Sequence, residues 1–355
     1  MRALIQHGID WTALIQEATC HEVVPLLYHS LQATCPAAVP EPVLAQLRTF
    51  FQANARRNLC LTGELLALLD LFAAQGIAAI PYKGPILAAA VYGNLALRTF
   101  RDLDILVHQH DIPAIKSLLL AQGYCWKPHI GHLLQARTSL YVRSSYLYDV
   151  CFERRDSTGQ RLSLVEMHWD TNPRHILFPL NPEQLWEHLA PFALAGRLVP
   201  TLPPEELLPL LCINGAKDHW IWLKALCDVA ELIRANPGLE WEKTRQAARI
   251  LGREKIFLLG LALARELLEV DLPTHVGQWM ATEPAVHVMA QQVSQRLLHA
   301  PNQHLAPNQR LGSWHKALFN LRLRDSLQDK VRYCWFAIIQ QLDQRITTLT
   351  LQRKD

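Results

Sequence analysis

One block of the chain, residues 76 to 175, breaks the helical spacing that governs the residues on either side, and this interruption sets the fold class. Its apolar runs, Ile77 to Ile80 and Leu103 to Val107, have the length of buried strands rather than helices. Gly84-Pro85 opens a helix with proline in a tolerated first-turn position, and that helix, Ile86 to Tyr92, ends at Gly93-Asn94. A second helix is expected from Asp111 to Gln122, capped by Asp111. Strands at Tyr146 to Arg154 and Arg161 to Trp169, joined through Asp156-Ser157-Thr158-Gly159, form a predicted hairpin.

The flanks read as helices. Leucines recur at helical spacing between Thr62 and Phe72, Gly76 supplies a stop, and Pro36 to Pro42 separates an earlier helical pair. Beyond Pro182 the clearest helices are Glu205 to Leu211, His219 to Arg234, Trp241 to Leu251 and Glu254 to Leu268. A loop with Pro301, Asn302, Pro307, Asn308 and Gly312 precedes a last helical segment. The expected organisation is α+β: an N-terminal helical region (1–75), an α/β core (76–175), a helical domain (176–300) and a C-terminal helical segment (301–355).

Several classes of protein fit poorly. Half of the residues are hydrophobic and 19% are charged, a composition that folds rather than stays disordered. The net charge of +3 gives no reason to expect nucleic acid, and the basic residues Arg322, Arg324, Lys330 and Arg332 are interrupted by Asp325 and Asp329, as on a solvated helix face. The eight cysteines form no C-x-x-C pair, which argues against a zinc ribbon or a dithiol redox site. MRALIQHGIDW lacks the apolar core of a signal peptide, and the run Ile256 to Ala264 is far short of the roughly 20 residues that cross a bilayer. A cytoplasmic protein without membrane contact is expected.

The chemistry concentrates in the central block. Side chains alternate along a strand, so Asp102 and Asp104 share one face at the strand's start while Leu103, Ile105 and Val107 take the other. Two carboxylates about 6 Å apart repel by roughly 3 kcal/mol at an effective dielectric near 20. A divalent cation reverses that sign, and hard oxygen ligands suit magnesium; the alternative is a solvated pair at a strand entrance. Upstream, Lys83-Gly84 sits at a strand-to-helix turn, where free backbone N–H groups favour an anion and Lys83 adds a positive charge. A phosphate cradle followed by paired aspartates is the arrangement that metal-assisted phosphoryl or nucleotidyl transfer needs. On a later strand, Glu166 and His168 share a face, Glu166 as metal ligand or general base and His168 as its support. Asp149 is the rival third carboxylate.

These residues, read as Lys83-Gly84, Tyr92-Gly93-Asn94, Arg98, Asp102-Leu103-Asp104-Ile105-Leu106-Val107 and Glu166-Met167-His168-Trp169-Asp170, resemble a bacterial family of poorly characterised nucleotidyltransferases within the polymerase-β-like superfamily. The stretch from Gly215 to Asp228 resembles that family's helical region, and the likeness covers roughly residues 15 to 275. It implies a small mixed β-sheet nucleotidyltransferase core, with N-terminal helices on one side and a C-terminal helical bundle closing over the nucleotide. It implies two magnesium ions, with Asp102 and Asp104 as ligands and Glu166 completing the site, and Arg98 neutralising phosphate charge. The wider superfamily usually has Gly-Ser at the phosphate turn; the smaller family shares the Lys83-Gly84 form.

The expected reaction moves a nucleoside monophosphate from an NTP to an acceptor: a small molecule, a sugar, a peptide or a protein. A nucleotide- or partner-binding protein with little turnover, or a phosphotransferase, are the alternatives. Lys217 and Asp228 would lie on nearly one face of a continuous helix, Lys217 reaching a phosphate and Asp228 orienting it, or would form a structural polar pair between helices. Trp220, Trp222 and Trp241 are expected in the helical core rather than as a base-stacking surface.

Overall fold

The computed structural model describes residues 8–127, 149–170, 184–298 and 313–335. Three helices come first: α1 (Trp11–Cys20), α2 (Val24–Thr34) and the long α3 (Glu41–Ala73). Leu61, Leu65, Leu68 and Phe72 of α3 fall on one stripe and are buried against the sheet, and the helix ends where Ile77 N bonds back to Phe72 O.

The sheet is built from β1 (Ala79–Pro81), β2 (Leu103–Val107), β3 (Cys125–Lys127), β4 (Asp149–Arg155) and β5 (Arg161–His168), in the order β1-β2-β5-β4-β3. Only the β2/β5 pair is parallel, so the sheet is mixed and small, as the resemblance implied. Helix α4 (Gly84–Tyr92) joins β1 to the loop before β2, and α5 (Ile112–Ala121) follows β2. The β4–β5 hairpin turns at Asp156 to Gly159, where Asp156 Oδ1 accepts from the N–H groups of Thr158 and Gln160. Residues 146–148 of the expected strand lie outside the described residues.

Every residue of β2 is buried, but the two faces bury differently. Leu103, Ile105 and Val107 join Val165, Met167 and the α3 stripe in one core. Leu106 and Ile80 point the other way, into a core shared with the helical half. That half comprises α6 (Gln184–Glu187), the hairpin β6 (Ala190–Leu194) and β7 (Arg197–Thr201), then α7 (Pro204–Lys217), α8 (Leu223–Ala235), α9 (Trp241–Ile250), α10 (Glu254–Leu268), α11 (Thr274–Ala281), α12 (Pro284–Leu298) and α13 (Ser313–Arg322). Helix α10 is its axis, with Ile256 to Ala264 all buried. Among the described residues no helix is long and apolar enough to cross a membrane.

Three details differ from the expectations. The helix expected from His219 starts at Leu223, because His219 and Trp220 adopt φ of +56° and +54° and drive the Trp220 ring into the core at 1% exposure. Asp111 makes no side-chain cap: its own backbone is helical, at φ −82° and ψ −13°, whereas a capping residue is extended. The short strand β3 and the β6–β7 hairpin, which turns through Ala195-Gly196 with positive φ at both residues, fall where no strand was expected. The loop holding Pro301, Asn302, Pro307, Asn308 and Gly312 lies outside the described residues.

Candidate active site

The parallel register of β2 and β5 places Asp104 opposite Glu166 and Leu106 opposite His168. Alternation sends Asp104, Glu166 and His168 to the face that looks at the helical half. There, His168 Nε2 lies 3.2 Å from Asp104 Oδ1 and 3.6 Å from Glu166 Oε2. One ligand atom from each of the three residues falls within 4.8 Å of the others. Asp104 is 8% exposed and His168 3%, which excludes a solvated aspartate at a strand entrance.

Lys83 reaches this cluster from the turn before α4. Its Nζ lies 3.6 Å from Asp104 Oδ1 and donates at 3.2 Å to Asn214 Oδ1 of α7. Gly84 follows at φ +52°, a left-handed value that suits glycine, and a Cβ there would meet the Asp102 carbonyl oxygen at 3.3 Å. Glycine therefore lets the Lys83 turn sit directly against Asp102, the residue that leads into β2.

The charges of this cluster act on one another. Burial pushes the Asp104 carboxyl up, but Lys83, His168 and Arg98 outweigh it and hold the group well below the usual carboxylate range. Burial works against a charged His168 as well, yet bonding to Asp104 and Glu166 lifts it to about 9. Asp102 goes the opposite way: burial first, then repulsion from Asp104 and Glu166, pushes it up to about 6. Negative charge is in surplus around Asp102.

Arg98 is held rather than free. Its Nε and Nη2 donate to the two carboxylate oxygens of Asp228 at 2.8 and 2.9 Å, and the Tyr92 hydroxyl donates to the same carboxylate at 2.8 Å. Arg98 and Asp228 are 6% and 2% exposed, so this fork is a buried bridge between the loop before β2 and α8. The loop is fixed from behind by α3: Asn54 Nδ2 donates to Ala96 O, and Asn58 Nδ2 to Leu95 O and Arg98 O. Tyr92's hydroxyl is pushed well up, by burial and by Asp228.

These groups border one cavity of about 330 Å³ between the sheet and the helical half. Lys83, Arg98, Asp102, Asp104, Glu166 and His168 line it from the sheet side, and Lys217 and Asp228 from the helices. Lys217 closes α7 and Asp228 lies within α8, so the two are not on a continuous helix; the turn at 218–222 separates them, and Asp228 binds Arg98 and Tyr92. Asp149, the rival carboxylate, is 2% exposed and sits opposite His168 on β4, one strand further from Asp104. Of the tryptophans, Trp222 lines the cavity while Trp220 and Trp241 belong to the core.

Sequence reasoning missed Asn214, Lys224, Asp218 and Glu22, which also line the cavity. Glu22 arrives from the α1–α2 turn, is ion-paired to Lys224 at the start of α8 and has φ +58°. Asn54 and Asn58 carried a signal, being polar residues on the buried stripe of a long helix. Glu22 carried none.

A family model described as uncharacterised nucleotidyltransferase matches residues 7–269, well over half of the chain. No curated protein matches. Among solved structures, a lincosamide antibiotic adenylyltransferase in its lincomycin-bound form is 17% identical, covering 48% of this chain and 94% of that one at a TM-score of 0.31. An antigenic nucleotidyltransferase-like protein from Paracoccidioides brasiliensis is 16% identical, covering 53% of this chain and 85% of that one at a TM-score of 0.35.

Proposed function

The chain belongs to this family of uncharacterised nucleotidyltransferases, and on that premise we propose that it moves a nucleoside monophosphate from an NTP to an acceptor, with magnesium as cofactor and pyrophosphate as second product. The observation that carries the reading is the convergence of Asp104, Glu166 and His168 on one point beneath Lys83.

The donor set fits a divalent cation. Six carboxylates and four lysine or arginine side chains line the cavity, an excess of two negative charges, or one with His168 protonated. With Asp228 taken by Arg98 and Glu22 by Lys224, the closely set Asp102, Asp104 and Glu166 repel one another, and a divalent cation would reverse that sign. Asp102 and Asp104 would hold magnesium together with Glu166, and His168 supplies a further donor atom. A cation bound there would neutralise triphosphate charge and make the α-phosphorus a better electrophile.

The protein's own groups do the rest. Lys83 and Lys217 hold the triphosphate oxygens, and Gly84 brings the turn close enough to touch them. Arg98 is a positioning residue: with both fork nitrogens on Asp228, it joins the loop before β2 to α8 across the cavity. An oxygen of the acceptor bonds to the α-phosphorus, the bond from that phosphorus to the β-phosphate oxygen breaks, and a carboxylate of the cluster takes the acceptor's proton. In this reading Glu166 takes that proton, as the most solvent-accessible of the three convergent groups. All eight cysteines are free thiols, consistent with a reducing cytoplasm.

The test uses α-labelled ATP and the other NTPs, magnesium and a cell extract as the source of acceptors. Wild-type protein should label a component and release pyrophosphate, and Asp104→Asn should reduce both by at least about a thousandfold. Label carried over from γ-labelled instead of α-labelled NTP would make the protein a phosphotransferase. Equal labelling by wild type and Asp104→Asn would end the assignment of this site. Calorimetry with NTP and magnesium separates binding without turnover from catalysis.

A further inference from the structure

The segment 98–102 divides two cavities. Arg98, Phe100 and Asp102 line the active-site cavity, while Thr99 and Arg101 line a second one of about 150 Å³, and Glu22 borders both. One wall of the second cavity is apolar, with Val24, Pro25, Phe50 and Ala53. The other carries two guanidinium groups. Arg57 is anchored on α3 by bonds to Phe100 O and Asn54 Oδ1, and burial and the nearby Arg101 both work against its charge. The carboxylate beside them is Glu22, with Arg101 Nε at 3.9 Å, and Glu22 is already engaged by Lys224. In this second cavity the two arginines face Glu22 as the one lining carboxylate, itself held by Lys224, and a second anion would be stabilised between them.

We propose that this second cavity is the acceptor subsite, and that its occupant is a small molecule in which a phosphate or carboxylate is attached to an apolar body. The anion sits between Arg57 and Arg101, the apolar body lies against Val24, Pro25 and Phe50, and the reacting oxygen reaches past Glu22 to the carboxylates. This rests on the transfer reading above. The nucleotide does not compete for the place: its triphosphate is matched by Lys83 and Lys217 beside the carboxylates, and a nucleobase has no anion for the two arginines. A cavity less than half the size of the first suits a fragment rather than a nucleotide.

Phenyl phosphate, an anion on a flat apolar ring, is the probe. Calorimetry should detect its binding to the full-length protein both alone and with the active-site cavity filled by magnesium and a non-hydrolysable ATP analogue. Arg57→Gln and Arg101→Gln should each weaken phenyl phosphate at least about tenfold more than they weaken the analogue. Glu22→Gln should tighten it, because the internal carboxylate no longer competes for Arg101. Arg101 has an exposed side chain, so its variant should keep the wild-type melting curve and serve if Arg57→Gln fails to fold. Displacement of phenyl phosphate by the analogue, or unchanged binding in the double arginine variant, would overturn the proposal. Arginine-dependent phenyl phosphate binding in a protein that does not bind the analogue would remove the transfer reading while keeping the anion site.

Discussion

Ile105 and Asp104 are neighbours on one strand and leave it in opposite directions, and the two sides of the sheet that they reach differ in kind. On the Ile105 side, Leu103, Val107, Val165, Met167 and the α3 stripe fill an apolar core, with one ion pair, Glu64 to Arg154, at its border. Each such side chain contributes about 1.5–3 kcal/mol through removal from water, and none needs a specific partner. On the Asp104 side, next to the core of Ile80 and Leu106, lie charges that stabilise one another only in particular pairs: Arg98 with Asp228, His168 with Asp104 and Glu166, and Lys83 between Asp104 and Asn214. One face of the sheet is packed almost wholly by apolar side chains; the other sets a cluster of charges, which a cation and a triphosphate can relieve, beside the core that Ile80 and Leu106 share with the helical half.

The largest test of this contrast is Arg98→Ala. It leaves Asp228 buried with only the Tyr92 hydroxyl among the bonds to its carboxylate described above, and should cost about 3–5 kcal/mol of stability in urea unfolding. Combining Arg98→Met with Asp228→Leu should recover most of that loss, since an apolar pair replaces both charges, while transfer stays impaired because α8 is no longer registered by an ion pair. Full recovery of both would mean the bridge has no positioning role.

Ile105→Ala tests the other face. The residue is fully buried, so the cavity it leaves should cost about 2–5 kcal/mol, and nucleotide affinity of the folded protein should change by only a few fold. A collapse of nucleotide binding without a fall in melting temperature would show that the faces are not separable.

The smallest effect runs the opposite way. Because burial and neighbouring carboxylates raise Asp102 from 3.8 to about 6, the folded state binds that proton more tightly than the unfolded chain. Metal-free protein therefore loses stability at this site as pH rises from about 4 through 6. Asp102→Asn should raise the melting temperature in EDTA at pH 8, through a stability gain on the order of 1 kcal/mol, and the gain should shrink as pH falls from about 6 to 4. The same variant should abolish transfer. A lower melting temperature for Asp102→Asn at pH 8 would contradict the surplus of negative charge inferred for this face.

Much of the central block was legible because a period of two is a local property. The alternation in Asp102 to Val107 and in Val165 to His168 assigned each side chain to a face without any knowledge of the neighbouring strand. The helix from Glu254 to Leu268 was equally plain, as its apolar run admits no other reading. The turn at His219-Trp220 was not, because neither residue is a glycine or asparagine that announces positive φ, so one continuous helix through Lys217 and Asp228 stayed open beside a pair between two helices. The β6–β7 hairpin hid for a similar reason: alanine occupies a left-handed position, and Leu198 on its outer side is 77% exposed.

The sequence by itself determined which side chains bear charge, which face of a strand each takes, and that a lysine-glycine turn precedes paired aspartates. Only the tertiary structure decided which of them meet. Lys83 and Asn214 are 131 residues apart, and Arg98 and Asp228 are 130 apart. Local periodicity fixes a direction from the backbone, but a partner at that distance depends on how the whole chain closes around the sheet.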